Sequence, residues 1–543
     1  MRYRVALLAA LVGSVGLVLT PSAGAATARP AVCTSAFDLP GARCGTVTVP
    51  VDRSGAVGGT IKLFYERLPA IGGKSKSTIA VFPGGPGGAT SILGYDVIPI
   101  VRKSLRDHDL LLLDLRGTGR SGYIDCDKDL AIGAIPLLLG DNSRQIGKGV
   151  QRCAKQLGPQ RSFYTTRDSV ADIEDVRAAL GIDKFTLLGI SYGTREAMAY
   201  ARAYPEHTDR IVLDSLVSDA GLDAFGLNTV DAIPRLLREL CRGGGCDGIT
   251  SDPVADLEKL VGRLEQGPMR SRRAVSLAGC STHVAITRSR LFGLFQDADE
   301  DPRLLSQLPV AISRAAAGQP YQLSLLLSIN SPRLAICTLL KVLKDVVPSN
   351  SAGDMQLAAH AFSLGEQVAT LCEETNLPWP RTAPVWARGN YAQTALDAIA
   401  GPSFAPFDRS TVLSASLVAT CKFWPAAPDP PTLADAPLPN VPTLILAGLD
   451  DLRTPAEDAR ALAAVTPGAH LLEIPDVGHS TLTSSGCARR GFVRFMADQP
   501  IGECHPYLQH HPLPAHHVLN WQAELEQLLQ QVPTPPKGSR TAS

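Results

Sequence analysis

The sequence predicts an α/β protein. Its sheet is mostly parallel with helices on both faces, broken by a helical insertion and then completed. Three observations carry this. From Gly45 to about Leu216, short β-rich runs alternate with helical patterns. From about 220 to 414 that rhythm gives way to Leu-, Ala- and Arg-rich stretches of helical period. From Thr443 the strand–helix alternation resumes.

In the first part, residues 61–68 (IKLFYERL) and 78–82 (TIAVF) predict strands, the second ending at a Gly/Pro-rich turn, residues 83–88. Residues 109–115 (DLLLLDL) form an unbroken apolar run, as a strand covered on both faces requires. A helix is expected over 169–180, a strand over 185–189, a helix over 194–204 and a strand over 210–216. In the insertion, 302–317 and 354–372 predict helices. The completing part offers strands at 443–447 and 470–474, with helices at 456–465 and 489–496. The expected organisation is a first core part over 33–219, a helical cap over 220–414, a second core part over 415–505, and a Pro/His-rich tail over 506–543 with a short helix at 518–531.

Composition narrows the partners. The chain has 543 residues, with 52 Lys+Arg against 52 Asp+Glu and 45% hydrophobic residues. That balance excludes a disordered chain and leaves no basic footprint for nucleic acid. No phosphate-binding glycine motif stands where a nucleotide site would need it. Residues 1–25 carry Arg2 and Arg4, an apolar run from Ala6 to Leu19 and the small residues Ala23-Gly24-Ala25, which is the pattern of an export signal. No later run approaches the length of a membrane span. The expectation is a secreted, extracellular protein without a stable membrane span. Twelve cysteines in an oxidising compartment then predict disulfides. Nearby pairs are Cys33 with Cys44, Cys126 with Cys153, Cys241 with Cys246, and Cys487 with Cys504, while Cys280, Cys337, Cys372 and Cys421 stay open.

The chemistry concentrates in three places. Gly189-Ile190-Ser191-Tyr192-Gly193 fits G-x-S-x-G between a predicted strand and helix. A serine nucleophile projecting from a tight turn at a sheet edge needs small flanking residues, and the following helix aims its N-terminus at developing negative charge. The serine needs a base and the base an orienting acid, in the chain order Ser, acid, His. His479 follows the strand at 470–474 and supplies the base. Asp451, just past the strand at 443–447, is the preferred acid; Asp450 and Asp214 are the alternatives. The oxyanion hole is expected from the backbone N–H of Tyr192 and one in the 83–88 loop, Gly85 or a neighbour. Neither a metal nor an organic cofactor is called for. The tail pairs His510-His511 and His516-His517 read as a solvated segment, and Asp297, Asp299, Glu300 and Asp301 as a surface loop.

Phe82-Pro83-Gly84-Gly85-Pro86-Gly87-Gly88, Asp114-Leu115-Arg116-Gly117-Thr118-Gly119-Arg120-Ser121, Gly189-Ile190-Ser191-Tyr192-Gly193-Thr194 and Gly448-x-x-Asp451-x-x-Thr454-Pro455 together resemble the secreted tripeptidyl aminopeptidases of actinobacteria. These are α/β-hydrolase serine peptidases related to the prolyl aminopeptidases. The resemblance implies an α/β-hydrolase fold with a helical lid, Asp451 as triad acid, and release of short N-terminal peptides. It departs at Pro83, where prolyl aminopeptidases carry His, and at Ser480, where many relatives carry Gly. An aminopeptidase must hold a free ammonium group, and a carboxylate is its natural partner. Relatives carry an acid shortly after a cysteine late in the lid, which makes Glu374, with Glu373 beside it, the candidate amine anchor. The expected partners are peptide substrates. An esterase or amide hydrolase, and a silent hydrolase fold used for binding, are the competing readings. The motifs leave P1 preference, the number of residues released and oligomeric state open.

Overall fold

The structure, a computed structural model, describes residues 26–126, 143–277, 280–299, 302–329, 357, 359–425 and 436–506. The expected export signal (1–25) lies outside them, as do the tail's paired histidines and its expected helix.

A nine-stranded sheet organises the molecule. Its strands are β1 (Ala28–Ala31), β2 (Arg43–Pro50), β3 (Thr60–Leu68), β4 (Thr78–Phe82), β5 (Asp109–Leu113), β6 (Phe185–Ile190) and β7 (Thr208–Asp214). Four short strands follow away from this sheet: β8 (Met269–Arg270), β9 (Val275–Leu277), β10 (Cys280–Thr282) and β11 (Ala285–Ile286). Then β12 (Thr443–Gly448) and β13 (Ala469–Ile474) return to it. The order across the sheet is β1-β2-β3-β5-β4-β6-β7-β12-β13. The pairs from β1 to β5 along this order are antiparallel and the rest are parallel. Thr443 lies opposite Ile211 and Leu446 opposite Asp214, so the sheet continues across the insertion.

The apolar strand runs divide between two faces with the period of two that a pleated strand imposes. Leu111, Leu187, Leu213 and Ile445 pack on one face. Leu110, Leu112, Leu188, Val212, Leu444 and Leu446 pack on the other. Two core helices matter for the site: α1 (Thr166–Ala179), capped by the Thr165 side chain, and α2 (Tyr192–Ala203), whose buried Ala197, Ala199 and Ala201 permit close approach to the sheet.

The insertion holds its own core. It includes α3 (Leu227–Leu240), α4 (Pro253–Glu265), α5 (Arg288–Ala298), α6 (Pro302–Ala316) and α7 (Tyr321–Ile329). Ile233, Leu236, Leu260, Phe292, Phe295 and Leu308 form its centre, and Leu452 joins this cluster from beyond β12. This region is not helical throughout, since β8–β11 form two small antiparallel pairs within it. Where the sequence predicts one helix over 354–372, residues 357 and 359 are helical, the helix is broken at 361–363, and α8 runs over Leu364–Glu374. The reason is a long-range contact. Residues 361–363 are drawn into extended pairing with the 83–88 loop, through Ala89 N–H to Ala361 O at 2.9 Å and Ser363 N–H to Gly87 O at 2.9 Å. Ser363 then caps the helix. After β12 come α9 (Ala456–Val465) and, after β13, α10 (Gly486–Met496). No described helix is long and apolar enough to cross a membrane.

All four nearby cysteine pairs are disulfides, and Cys372 is bonded to Cys421. Cys337 lies outside the described residues.

Candidate active site

Between the end of β6 and the start of α2 the chain reverses at one residue, Ser191, with φ 55° and ψ −123°. A side-chain-bearing residue at positive φ is held there by its surroundings. The Ser191 N–H donates to Asp214 O at 2.8 Å. A Cβ on Gly189 would collide with the Gly193 carbonyl, and one on Gly193 with the Phe82 carbonyl. Both glycines of the motif are therefore required by close backbone approach, and the approach turns the Ser191 side chain out at the carboxyl edge of the sheet.

The chain beyond β13 brings His479 to that edge. Its Nε2 lies 2.8 Å from Ser191 Oγ, and its Nδ1 lies 2.9 Å from Asp451 Oδ2. Asp451 comes from the turn after β12 and is fully buried. Its Oδ1 accepts from the N–H of Arg453 at 3.0 Å and of Thr454 at 2.9 Å, and its Oδ2 accepts from the Thr454 hydroxyl at 2.7 Å. Burial disfavours this carboxylate's charge, but His479 and the Thr454 bonds outweigh it and hold its pKa below the ordinary value. Burial likewise disfavours the imidazolium of His479, but the Asp451 charge and hydrogen bond leave the imidazole more basic than ordinary. An ionised acid beside a basic imidazole suits proton removal from a hydroxyl.

The two alternative acids have other surroundings. Asp214 accepts from the N–H and hydroxyl of Thr481 and from Leu482 N–H, fixing the turn after His479. Asp450 is buried, and burial together with the Asp476 charge pushes it up to about 7. Asp451 is the carboxylate bonded to the ring.

The 83–88 loop stands directly against the serine. A Cβ on Gly84 would lie 2.9 Å from Ser191 Cβ. Gly85 follows at φ 127°, a conformation open to glycine. Tyr192, at the first position of α2, contributes its backbone to the helix N-terminus beside Ser191. Loop and helix terminus thus converge at the serine.

Glu373 and Glu374 end α8 and border a cavity of about 480 Å³ together with Arg195, Arg381, Trp379 and Trp424. Both carboxylates are occupied from within. Glu374 accepts from Thr166 N–H and hydroxyl, Tyr192 hydroxyl and Arg195 Nε. Glu373 accepts from Trp424 Nε1 at 2.7 Å and pairs with Arg381. A substrate ammonium group would have to compete with these donors.

Two of the acids expected in a surface loop lie elsewhere: Asp297 is within α5, and Asp299 is buried directly after it. The carboxylate oxygens of Asp299 and Asp451 and a ring nitrogen of His479 all lie within 4.8 Å of one another. The three could be imagined as metal ligands, but Asp451 and His479 are bonded to each other, and Asp299 Oδ2 accepts the N–H groups of Leu452 and Arg453. Nothing in the local sequence around Asp299 announces this placement. Glu300 and Asp301 lie outside the described residues.

Residues 78–234 match a family model described as alpha/beta hydrolase fold, and residues 405–501 one described as TAP-like protein. The chain belongs with the α/β-hydrolases. Over part of its length it is similar to tripeptidyl aminopeptidases and a related serine protease. It is 30% identical over 148 residues to a tripeptidyl aminopeptidase of Streptomyces lividans, covering 25% of this chain and 28% of that one. It is 30% identical over 201 residues to the serine protease Hip1 of Mycobacterium tuberculosis, covering 33% and 38%. A 49-residue stretch is 51% identical to a proline iminopeptidase of Xylella fastidiosa, covering 9% of this chain and 16% of that one. The matched stretches thus span well under half of these curated relatives.

Proposed function

We propose that this α/β-hydrolase is an exported serine exopeptidase that releases di- or tripeptides from peptides with a free N-terminus. The observation that carries the reading is the unbroken line Ser191 Oγ–His479 Nε2 and His479 Nδ1–Asp451 Oδ2 at 2.8 and 2.9 Å. In this reading Ser191 Oγ attacks the carbonyl carbon while His479 Nε2 takes its proton. Asp451 keeps the Nδ1 proton in place and offsets the imidazolium charge. Backbone N–H groups of Tyr192 and the 83–88 loop, Gly85 or its neighbour, stabilise the oxyanion; losing one such donor costs roughly 3 kcal/mol. The tetrahedral intermediate collapses as His479 protonates the leaving amine. Water then resolves the acyl-enzyme by the same path, with no cofactor. The names of the relatives support peptide over ester substrates, and the export-signal pattern and five disulfides support an extracellular setting. Glu374 or Glu373, at the cavity wall, is the proposed anchor for the substrate ammonium group.

The test compares Ala-Ala-Pro-aminocoumarin with its N-acetylated form, using wild type and Ser191→Ala. Turnover of the free-amine substrate should fall sharply on acetylation and by about 10⁶-fold in Ser191→Ala. Equal turnover of the two substrates would reject exopeptidase specificity and favour an esterase or amidase. An active Ser191→Ala protein would reject the nucleophile.

A further inference from the structure

Asp299 follows the last residue of α5, in the insertion, yet it touches both loops that bear the proposed base and acid. Its carbonyl oxygen accepts the backbone N–H of His479 at 2.7 Å. The approach is so close that a Cβ on Gly478 would collide with that carbonyl, which gives the Gly478-His479 step its physical reason. Its carboxylate Oδ2 accepts from Leu452 N–H at 3.1 Å and Arg453 N–H at 3.2 Å, the two residues after Asp451.

The same turn is fastened to the insertion at three further points. Leu452 is buried in the insertion's hydrophobic cluster. The Thr229 hydroxyl of α3 donates to Leu452 O at 2.9 Å. Arg453 Nε donates to Gln296 O of α5 at 2.7 Å. The acid turn is therefore gripped by the insertion as well as by the sheet edge, where Leu449 N–H donates to Ile474 O at 2.9 Å and Asp450 N–H to Val477 O at 3.0 Å.

We propose that Asp299 is a positioning residue of the triad, supplied by the insertion: its carbonyl sets the height of His479 and its carboxylate pins the turn that carries Asp451. The His479–Asp451 pair is thereby assembled only with the end of α5 in contact, and the cap is a working part of the catalytic machinery. This rests on the serine-hydrolase reading above. The charged groups around the His479 ring are Asp451 and Asp299, Arg453 from the acid turn, and Asp214 behind the following turn. Of these, Asp451 and Asp299 raise the basicity of the ring and Arg453 opposes them.

The test uses the full-length protein and the variants Asp299→Ala, Asp299→Asn and Ser191→Ala, with kcat, KM and the pH profile of kcat/KM as readouts. Asp299→Ala removes the acceptor of two backbone N–H groups. Displacing a proton acceptor by about 1 Å costs on the order of 10²-fold, so kcat should fall by about that factor with KM unchanged. Asp299→Asn keeps an oxygen acceptor and should restore most of kcat. Burial raises the Asp299 carboxyl to about 7, so through the acid limb it is largely protonated and the amide imitates it; the acid limb should stay near that of wild type. A loss confined to kcat in Asp299→Ala with rescue by Asp299→Asn is what a merely structural role would not produce. Wild-type kcat in Asp299→Ala, or a loss confined to KM, overturns the proposal. If Asp299→Ala fails to fold, Asp299→Ser takes its place, since its short hydroxyl cannot accept from both the Leu452 and Arg453 N–H groups; wild-type kcat in that folded variant overturns the proposal. An active Ser191→Ala protein would instead sink the underlying triad reading, so the two failures are distinguishable.

Discussion

At the scale of single residues, the site is defined by which carboxylates keep their protons. Asp451 is the buried acid with enough donors to stay ionised. Glu366 is the opposite case. It lies in α8, fully buried, and burial together with the nearby Glu374 charge raises it to about 8. Thr370 donates to one of its oxygens at 2.7 Å. Unfolded, this carboxyl loses its proton near 4.5; folded, it keeps it to about 8. Between those values the folded state holds a proton the unfolded state has released, so stability falls as pH rises. Glu366→Gln imitates the protonated form and should remove that contribution. Melting temperatures from pH 5 to pH 9 should decline less steeply in the variant than in wild type; parallel declines would contradict the assignment. The motif at Ser191 was legible because its glycines answer to backbone collisions that any sequence with this turn must avoid. Asp299 was not, because a single aspartate in a run of acids carries no signal of the loops it will meet.

At the scale of elements, the strands were the most legible part. Their unbroken apolar runs reflect burial on both faces, and the observed ends fall within one or two residues of the expected ones at β3, β4 and β6. Helix bounds were less legible: α2 begins at Tyr192, directly after the serine, and the helix expected over 354–372 is broken at 361–363 before α8 begins at Leu364. In the second case a pairing with the 83–88 loop overrides helical propensity, and such a long-range contact leaves no local pattern. α8 carries several duties at once. Its N-terminal approach clasps the loop, its last turn supplies Glu373 and Glu374, and Cys372 fastens it to Cys421. That disulfide closes a separation of 49 residues. Chain-entropy arguments then give it about 4 kcal/mol of stabilisation. The Cys372→Ser/Cys421→Ser protein should lose unfolding free energy of that order in urea titrations, with a lower midpoint and the other disulfides intact by mass; an unchanged midpoint would contradict a structural role.

At the scale of the whole molecule, the chain leaves the sheet after β7, builds a separate helical core, and returns to set β12 beside β7. This detour brings Ser191 and His479, 288 positions apart, within hydrogen-bond distance. The rhythm of the sequence revealed the detour, but not that the returning acid turn is gripped by the detour's own core. The central claim, that this assembly activates Ser191 as a nucleophile, is tested most directly by fluorophosphonate labelling of the full-length protein, with the adduct located by peptide mass spectrometry. The account predicts one adduct per chain, on Ser191, forming at least two orders of magnitude more slowly in His479→Ala. An adduct on another residue, or undiminished labelling of Ser191 without the histidine, would contradict it.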